Sequence, residues 1–374
     1  MSGKFDNRIP VLIASSLKPA KDTRAYGKLG LSLRETGKYH LTFMGFSQNS
    51  RENYQDENSY ASLSHTHSRL SRIFSLLKFA RILLKIRPQI LIICTCEYLP
   101  IAAFFKRKLG YKLIYDVQEN YSANLVLNPD LSPIKKKIAA QFIRACEATK
   151  KVDLYLFAEE CYRKEMPAKK PFLVLENKFQ GALTHSKPIQ FNPQKDDFVF
   201  LISGTLTPAF GVEDAIIWFK CLLTEYPKSR LKVIGHFTLK SFQKTIESTC
   251  GNCPGIELKT STFPIPHEEI LSAYEGVDFA FFPYRNSPQV WPKMPTKLFE
   301  SAALGVPVLI PNNPKWAQFL APFSGGEAVD FAAPETAPIQ FKKVVSKTFF
   351  THIPGPHILW KSQEKEFIQA IAEL

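Results

Sequence analysis

The chain has 374 residues, of which 45% are hydrophobic and 30 are phenylalanine, so it can bury more than one hydrophobic core. No apolar run approaches the roughly 18 residues of a membrane span, and the polar start lacks the apolar core of a signal peptide. The seven cysteines are scattered and odd in number, which indicates thiols in a reducing compartment rather than a disulfide scaffold. These features predict a cytoplasmic protein.

The net charge of +14 is concentrated in the N-terminal half. Residues 1–180 contain 30 Lys and Arg against 16 Asp and Glu, an excess of 14, whereas residues 181–374 contain 18 of each sign. This asymmetry indicates an anionic partner for the first half: a membrane surface, a nucleic acid or an acidic acceptor. Nucleic acid is supported by charge alone, because the sequence contains no helix-turn-helix, RNA-binding or zinc motif, and we do not expect it.

In the first half of the chain, apolar strands alternate with helical patterns, which predicts parallel sheets with right-handed crossovers. Residues 46–68 are polar and lack apolar periodicity, so we expect a loop there. The helix at 69–87 should pack its apolar side on the sheet and expose Lys78, Arg81 and Lys85. The pattern predicts strands at 10–16, 39–45, 89–95, 112–116, 153–157 and 174–177, and helices at 25–36, 69–87 and 132–150.

The second half repeats this alternation after a segment rich in Gly, Ser, Pro and Asn, residues 179–196, which we interpret as a linker. The pattern predicts strands at 197–206, 231–235, 255–259, 278–284 and 306–310, and helices at 211–225, 238–249, 267–275, 296–304 and near the C-terminus.

The segment at 278–311 contains the most informative functional pattern. An apolar strand, DFAFFPY, leads through a proline-rich loop to a short helix and a second apolar strand. Pro295 stands where the helix begins, a position at which a missing N–H costs nothing, and Gly305 stands where a left-handed cap ends it. A helix that begins at the carboxyl end of a parallel sheet attracts phosphate through its N–H groups and its dipole. The segment therefore predicts a phosphate site.

Three charged side chains lie in and beside this helix. Lys293 and Lys297 add positive charge at its start, and the Glu300 carboxylate is able to accept hydrogen bonds from a ribose diol. The same residues are also compatible with a plain strand–helix–strand unit that carries surface lysines.

The segment resembles the donor-site signature of retaining glycosyltransferase family 4, whose members have two Rossmann-like domains, the GT-B fold. The family pattern is roughly an apolar strand with Pro-Tyr, a loop, Pro-x-Lys-Leu-Phe-Glu, small residues and Gly-x-Pro-Val. Here it reads FPY at 282–284, PTKLFE at 295–300 and GVPV at 305–308. The resemblance implies an α/β fold class: two Rossmann-like (GT-B) domains with parallel sheets facing a central cleft.

The resemblance also implies a domain organisation. Residues 1–178 would form an N-terminal acceptor-binding domain, and 179–196 the linker. Residues 197–355 would form a C-terminal nucleotide-sugar-binding domain, and 356–374 a helix that crosses back toward the N-terminal domain.

The donor site implied by the resemblance departs from the family pattern at two places. The cations that the family places after the first strand of the second domain are missing, because residues 208–210 are Pro-Ala-Phe, and position 292 holds proline instead of the first of two glutamates. We therefore expect basic residues of the signature segment to compensate the diphosphate charge. The expected donor-binding residues are Gly204, Thr205, Arg285, Lys293, Thr296, Lys297, Leu298 and Glu300.

In the first domain, YDVQE at 115–119 resembles the family's Asp-x-His-Glu, which implies catalytic positions at Gln118 and Glu119. Glutamine hydrogen-bonds a sugar hydroxyl but cannot accept a proton. Asp22-x-Arg24 resembles the Asp-x-Arg of a loop over the cleft, and Glu97 ends a predicted strand, so all three are candidates for the acceptor side. For Asp22 and Arg24, a helix-capping Asp and a surface Arg are an equally good interpretation.

Together these observations predict a retaining, metal-independent, hexosyltransferase-like enzyme. It would use a nucleotide-sugar as co-substrate, need no cofactor and glycosylate a lipid-linked or cell-surface glycan acceptor at an anionic membrane surface. No Asp-x-Asp pair follows a strand, so we expect no metal site. The alternatives are a degenerate GT-B protein that acts as a scaffold or partner-binding subunit, and a nucleotide-sugar epimerase.

Overall fold

The computed structural model describes residues 7–47, 58–64, 69–184 and 187–374, which form two compact units. The first unit extends to Gln180 and includes Trp360–Leu374, and the second is Gly181–Leu359. The residues expected to form a linker are divided between the two units. They include a short strand at 189–190 that pairs with residues 348–349. No helix of the described segments is both long and apolar enough to cross a membrane.

The first unit contains a seven-stranded parallel sheet with strand order β3-β2-β1-β4-β5-β6-β7. The expectation of a loop throughout 46–68 is wrong at 46–47, where a strand continues, and at 58–64, which form an edge strand. Residues 48–57 and 65–68 lie outside the described segments. The edge strand is polar and has no apolar alternation, so its pairing with β2, and not its pattern, defines it. The strands are β1 (Ile9–Pro19), β2 (Tyr39–Ser47), β3 (Asn58–Ser64), β4 (Ile90–Ile93), β5 (Lys112–Val117), β6 (Leu154–Phe157) and β7 (Phe172–Val174).

Two helical layers cover the sheet of the first unit. One layer consists of the turn at 25–30 and the helix that follows it, together with the C-terminal helix Lys361–Ala372. The other contains the three long helices near the middle of the unit. The helices are α1 (Leu31–Glu35), α2 (Arg69–Ile86), α3 (Leu99–Leu109), α4 (Tyr121–Asn124), α5 (Pro133–Glu147) and α6 (Tyr162–Glu165).

The second unit contains a six-stranded parallel sheet, in the order β11-β10-β9-β12-β13-β14, and a small antiparallel pair of β8 with β15. The strands are β8 (Ile189–Gln190), β9 (Val199–Leu206), β10 (Arg230–Phe237), β11 (Ile256–Ser261), β12 (Phe279–Phe281), β13 (Val308–Ile310), β14 (Gly326–Ala328) and β15 (Thr348–Phe349). The helices are α7 (Val212–Leu222), α8 (Lys240–Cys250), α9 (His267–Ser272), α10 (Thr296–Leu304), α11 (Pro314–Leu320) and α12 (Ala337–Val345).

Both sheets have a doubly wound order, which confirms the predicted α/β class. In the first unit the chain leaves β1 on one side and returns on its other side as β4, and in the second unit β9 and β12 have the same relation. At such a switch point the connecting loops diverge, and a crevice opens at the carboxyl ends of the strands. The two switch points are therefore the positions at which open α/β sheets usually bind ligands.

Candidate functional site

The helix α10 follows β12 at the switch point of the second sheet. It spans Thr296–Leu304, as predicted, and Gly305 ends it in the left-handed region with φ of 69°. Pro295 is the residue that precedes the first helical residue, not the first helical residue itself, and it offers no side-chain cap. The start of α10 therefore directs backbone N–H groups and the positive end of the helix dipole toward the loops of the switch point.

Lys297 contacts the carboxyl-terminal half of β9. Its Nζ donates a hydrogen bond to the Ser203 carbonyl oxygen. Gly204 has φ of +87°, which favours glycine, and a Cβ added there would lie 2.7 Å from Lys297 Cε and 3.0 Å from Nζ, so the end of the lysine side chain would have to shift. Burial lowers the pKa of Lys297 to about 8, and the nearby Glu300 carboxylate opposes this shift. The buried ammonium of Lys297 thus has too little negative charge near it to offset the cost of burial, and a bound anion would stabilise it.

Glu300 lies one turn further along α10 and is 3% exposed. Its Oε1 is 2.8 Å from Nε2 of His267, the first residue of α9, which orients the carboxylate. His267 is a residue that the sequence reasoning missed, because nothing in the local pattern shows that the start of α9 meets α10. The imidazole is more exposed than the carboxylate, so it shields one side of the Glu300 carboxylate.

Other predicted donor residues have structural contacts. The Arg285 guanidinium forms two hydrogen bonds of 2.7 and 2.8 Å with Asp214 in the first turn of α7. Leu298 is completely buried, and its place among the donor-binding residues came only from the motif and stays a prediction. The Lys293 carbonyl accepts a 2.7 Å hydrogen bond from Trp316 Nε1, which fixes the backbone before α10.

The loops after β9 and β12 touch each other at this edge of the sheet. Gly211 is the residue that precedes α7 and has φ of +63°, and a Cβ there would lie 1.8 Å from the Pro283 carbonyl oxygen. One buried hydroxyl in each loop, Thr207 Oγ1 and Ser287 Oγ, has no hydrogen-bond partner within the described segments. Thr205, another predicted donor residue, is paired in register with His236 of β10.

The first unit contains a buried ion pair at the carboxyl edge of its sheet. Arg24 and Asp116 are 2% and 0% exposed, and three hydrogen bonds of 2.8–3.1 Å join them. The same guanidinium donates to the Leu175 carbonyl at 2.6 Å and to Asn177 Oδ1 at 3.0 Å. Arg24 therefore links the loop after β1, the end of β5 and the segment after β7. The alternative of a surface Arg is wrong.

Asp22 and Gln118 border this ion pair. Asp22 Oδ1 accepts the backbone N–H groups of Arg24 and Ala25 at 2.9 and 2.8 Å, so Asp22 caps the helical turn, as the alternative interpretation predicted. The Gln118 side-chain amide donates to Asp116 Oδ2 at 2.9 Å, which orients Gln118 at the end of β5.

Two further carboxylates lie at the same edge. Glu97, after β4, accepts a 2.5 Å hydrogen bond from Ser16 Oγ. Glu119, after β5, lies 3.3 Å from Lys18 Nζ, and its charge raises the pKa of Lys18. The first unit thus brings together all the predicted catalytic and acceptor-side residues, and it adds Ser16 and Lys18, which sequence reasoning did not identify. Within the described segments no three His, Cys, Asp or Glu residues are grouped as a metal site, and no disulfide is formed.

No protein-family model matches the chain, and no curated protein matches its sequence. Solved structures match nearly its whole length. Sucrose-phosphate synthase from Thermosynechococcus elongatus aligns with 98% of this chain and 100% of its own at a TM-score of 0.64 and 12% identity. Anabaena HepE in complex with UDP-glucose aligns over the same shares at 0.64 and 11%. The lipopolysaccharide outer core galactosyltransferase WaaB, in its apo form, aligns over 98% and 100% at 0.62 and 14%.

At these identities the likeness concerns the fold. The chain has the two-domain α/β architecture, GT-B, of these glycosyltransferases, as the signature segment predicted.

Proposed function

We propose that this protein is a retaining glycosyltransferase that moves a sugar from a nucleotide-sugar to a lipid-linked or cell-surface glycan acceptor. The observation that carries the proposal is the pair Lys297 and Glu300, one turn apart at the start of α10 and beside a sheet switch point. Lys297 supplies charge for a diphosphate, and Glu300 supplies an acceptor for a ribose diol. The fold shared with sucrose-phosphate synthase and with HepE, whose structure contains UDP-glucose, supports the same assignment.

The donor half of the reaction requires stabilisation of a departing nucleoside diphosphate. As the bond between the sugar carbon and the phosphate oxygen breaks, negative charge grows on the diphosphate. Lys297 would exchange the Ser203 carbonyl for a phosphate oxygen, and the dipole of α10 would act in the same direction. Gly204 leaves room for that movement because it has no side chain.

The acceptor half would take place at the carboxyl edge of the first sheet. Glu97 and Glu119 are able to accept hydrogen bonds from sugar hydroxyls, and Gln118, oriented by Asp116, is able to position another. Because the Gln118 amide cannot accept a proton, the leaving diphosphate oxygen would take the proton of the acceptor hydroxyl. The new bond then forms on the face from which the diphosphate departs, and the configuration is retained.

We further propose that transfer requires neither a metal ion nor a cofactor. Lys297 and α10 would perform the charge stabilisation that a divalent ion provides elsewhere. We expect turnover to persist in excess EDTA. Loss of turnover on chelation, restored by Mn²⁺, would contradict this model.

The excess of 14 positive charges in residues 1–180 supports a location at the cytoplasmic face of an anionic membrane, where a lipid-linked acceptor would lie.

Saturation-transfer NMR with UDP-, GDP-, dTDP- and ADP-sugars tests the assignment. We expect the nucleotide part of at least one donor to receive magnetisation from the protein, and a Lys297→Met/Glu300→Gln double variant to lose the signal. If the folded parent protein binds none of the four, the donor-site assignment is wrong and the degenerate-scaffold alternative replaces it.

A further inference from the structure

Exposed apolar side chains are concentrated on one layer of the first unit. The described segments contain 13 large apolar residues with exposed side chains, and only four of them lie in the second unit. The other nine lie on or beside α2, α3 and α5, which cover the same face of the seven-stranded sheet and share one hydrophobic core. The nine residues are Ile73, Phe74, Leu77, Leu84, Phe104, Val126, Ile134, Ile138 and Phe142.

The outward side of α5 carries a regular apolar stripe. Ile134, Ile138 and Phe142 are four residues apart and therefore lie along one side of the helix, with exposed fractions of 73%, 61% and 53%. Ile143 and Cys146 pack inward against the core. An ordinary surface helix is apolar only toward the core, so the second apolar side of α5 is not explained by folding.

The helix α2 has the same two-sided character. Phe79 and the buried residues of the next helical turn pack against the sheet, as the sequence predicted. The opposite side is not purely basic, however, because Ile73, Leu77 and Leu84 are exposed there. On α3, Phe104 is also exposed, at 75%. Exposed large apolar side chains grouped on the helices of one layer are typical of an interaction surface.

The charge of this helical layer is almost entirely positive. The helices α2, α3 and α5 contain five, three and four Lys and Arg, twelve in total, against a single acidic residue, Glu147. Glu147 is itself paired with Lys169 at 2.7 Å. On α5, Lys135 and Lys137 are exposed beside the apolar stripe. Lys106 is paired with Asp153 at 2.6 Å, and the layer keeps a large excess of positive charge beside its apolar side chains.

We propose that the outward side of α2, α3 and α5 docks on an anionic lipid bilayer. The apolar side chains would enter the boundary between headgroups and acyl chains, and the lysines and arginines would extend to the lipid phosphates. A second copy of the chain does not fit this face, since symmetric pairing would bring two strongly basic helical layers against each other. This inference names the surface that acts in the membrane location proposed above, and it does not require the nucleotide site.

Vesicle flotation of the full chain, without nucleotide, tests the proposal. We expect binding to vesicles of phosphatidylcholine with phosphatidylglycerol, and little binding to phosphatidylcholine alone. The triple variant Ile134→Ser/Ile138→Ser/Phe142→Ser should lower the partition coefficient at least about tenfold, because the apolar anchors are removed at constant charge. Lys135→Gln with Lys137→Gln should lower it by about fivefold per lysine.

Matched variants of the second unit serve as controls. Ile339→Ser removes a side chain of similar exposure, 65%, and Lys342→Gln with Lys343→Gln removes two exposed lysines of α12. We expect both controls to bind vesicles like the parent. Equal effects of control and α5 variants, or the absence of vesicle binding, would overturn the proposal. So would a dimer in sedimentation that the α5 triple variant dissolves, because a second copy would then cover this face. None of these results affects the nucleotide assignment, which the NMR experiment decides separately.

Discussion

The charged clusters of the two units differ in how many hydrogen bonds and opposite charges the protein provides for the buried cation. In the first unit, the Arg24 guanidinium forms five hydrogen bonds, of which three join it to Asp116. In the second unit, Lys297 donates to the Ser203 carbonyl, and burial lowers its pKa to about 8. A saturated buried charge holds elements of the fold together, whereas an under-compensated one can gain a ligand. The comparison thus separates a cluster that we expect to stabilise the fold from the proposed binding site.

The largest effect should come from the saturated cluster. Arg24→Met leaves the Asp116 carboxylate buried without its cation, so we expect the free energy of unfolding to fall by about 3–5 kcal/mol. Urea denaturation followed by circular dichroism measures this. Arg163→Met is the matched control, because its ion pair with Glu160 is half exposed and should contribute less than about 1 kcal/mol. A loss of unfolding free energy as small in Arg24→Met as in the control would show that the buried ion pair does not stabilise the fold.

The second effect concerns the under-compensated charge. Lys297→Met should weaken nucleoside diphosphate binding by roughly 1.5–3 kcal/mol, the range of a charge-assisted hydrogen bond, without lowering the free energy of unfolding. Isothermal titration calorimetry with the diphosphate identified by NMR measures the loss. Lys220→Met is the control, since Lys220 Nζ also donates to a carbonyl oxygen, that of Thr249, but lies on α7. Binding equal to that of the parent would remove Lys297 from the donor site.

Much of the fold was predictable because apolar strands and helix signals are local. The bounds of α10 followed from Pro295 and Gly305 alone. The polar edge strand at 58–64 was not predicted, because only its pairing with β2 defines it. The apolar outward side of α2 was also missed, because a helix with apolar residues on two sides gives no clean periodicity.

The site was predictable only in part. The motif located Lys297 and Glu300, which the structure places on consecutive turns of α10. It could not show that Arg24 is buried against Asp116, since that contact spans 92 residues. Nor could it show that His267 meets Glu300. Such partners depend on the tertiary arrangement, which no local pattern encodes.

The third effect follows from the lowered pKa of Lys297. Its ammonium form is populated below about pH 8 and lost above it, so diphosphate affinity should fall by up to about tenfold between pH 7 and pH 9. The free energy of unfolding depends on pH in the opposite direction. The unfolded chain binds the proton more tightly, so this residue adds stability as the pH rises from about 8 toward 10.5, its ordinary value. Lys297→Arg should bind with a flat pH profile, because guanidinium stays charged. A parent profile as flat as that of the arginine variant would contradict the assignment.

The smallest effect should come from Glu300, the proposed acceptor for the ribose hydroxyls, and from His267, which orients it. Glu300→Gln keeps an acceptor oxygen but removes the charge, so we expect nucleoside diphosphate affinity to fall by about 1 kcal/mol with folding intact. His267→Ala should cost less, because Glu300 keeps its charge and loses only the 2.8 Å contact that orients it. Calorimetry with nucleoside and 2′-deoxynucleoside diphosphates distinguishes a loss of ribose recognition from a general loss of diphosphate affinity. The parent should prefer the ribose form, and His267→Ala should reduce that preference while His267→Gln restores part of it. If both histidine variants discriminate as well as the parent, His267 does not act through Glu300, and the carboxylate is positioned by α10 alone.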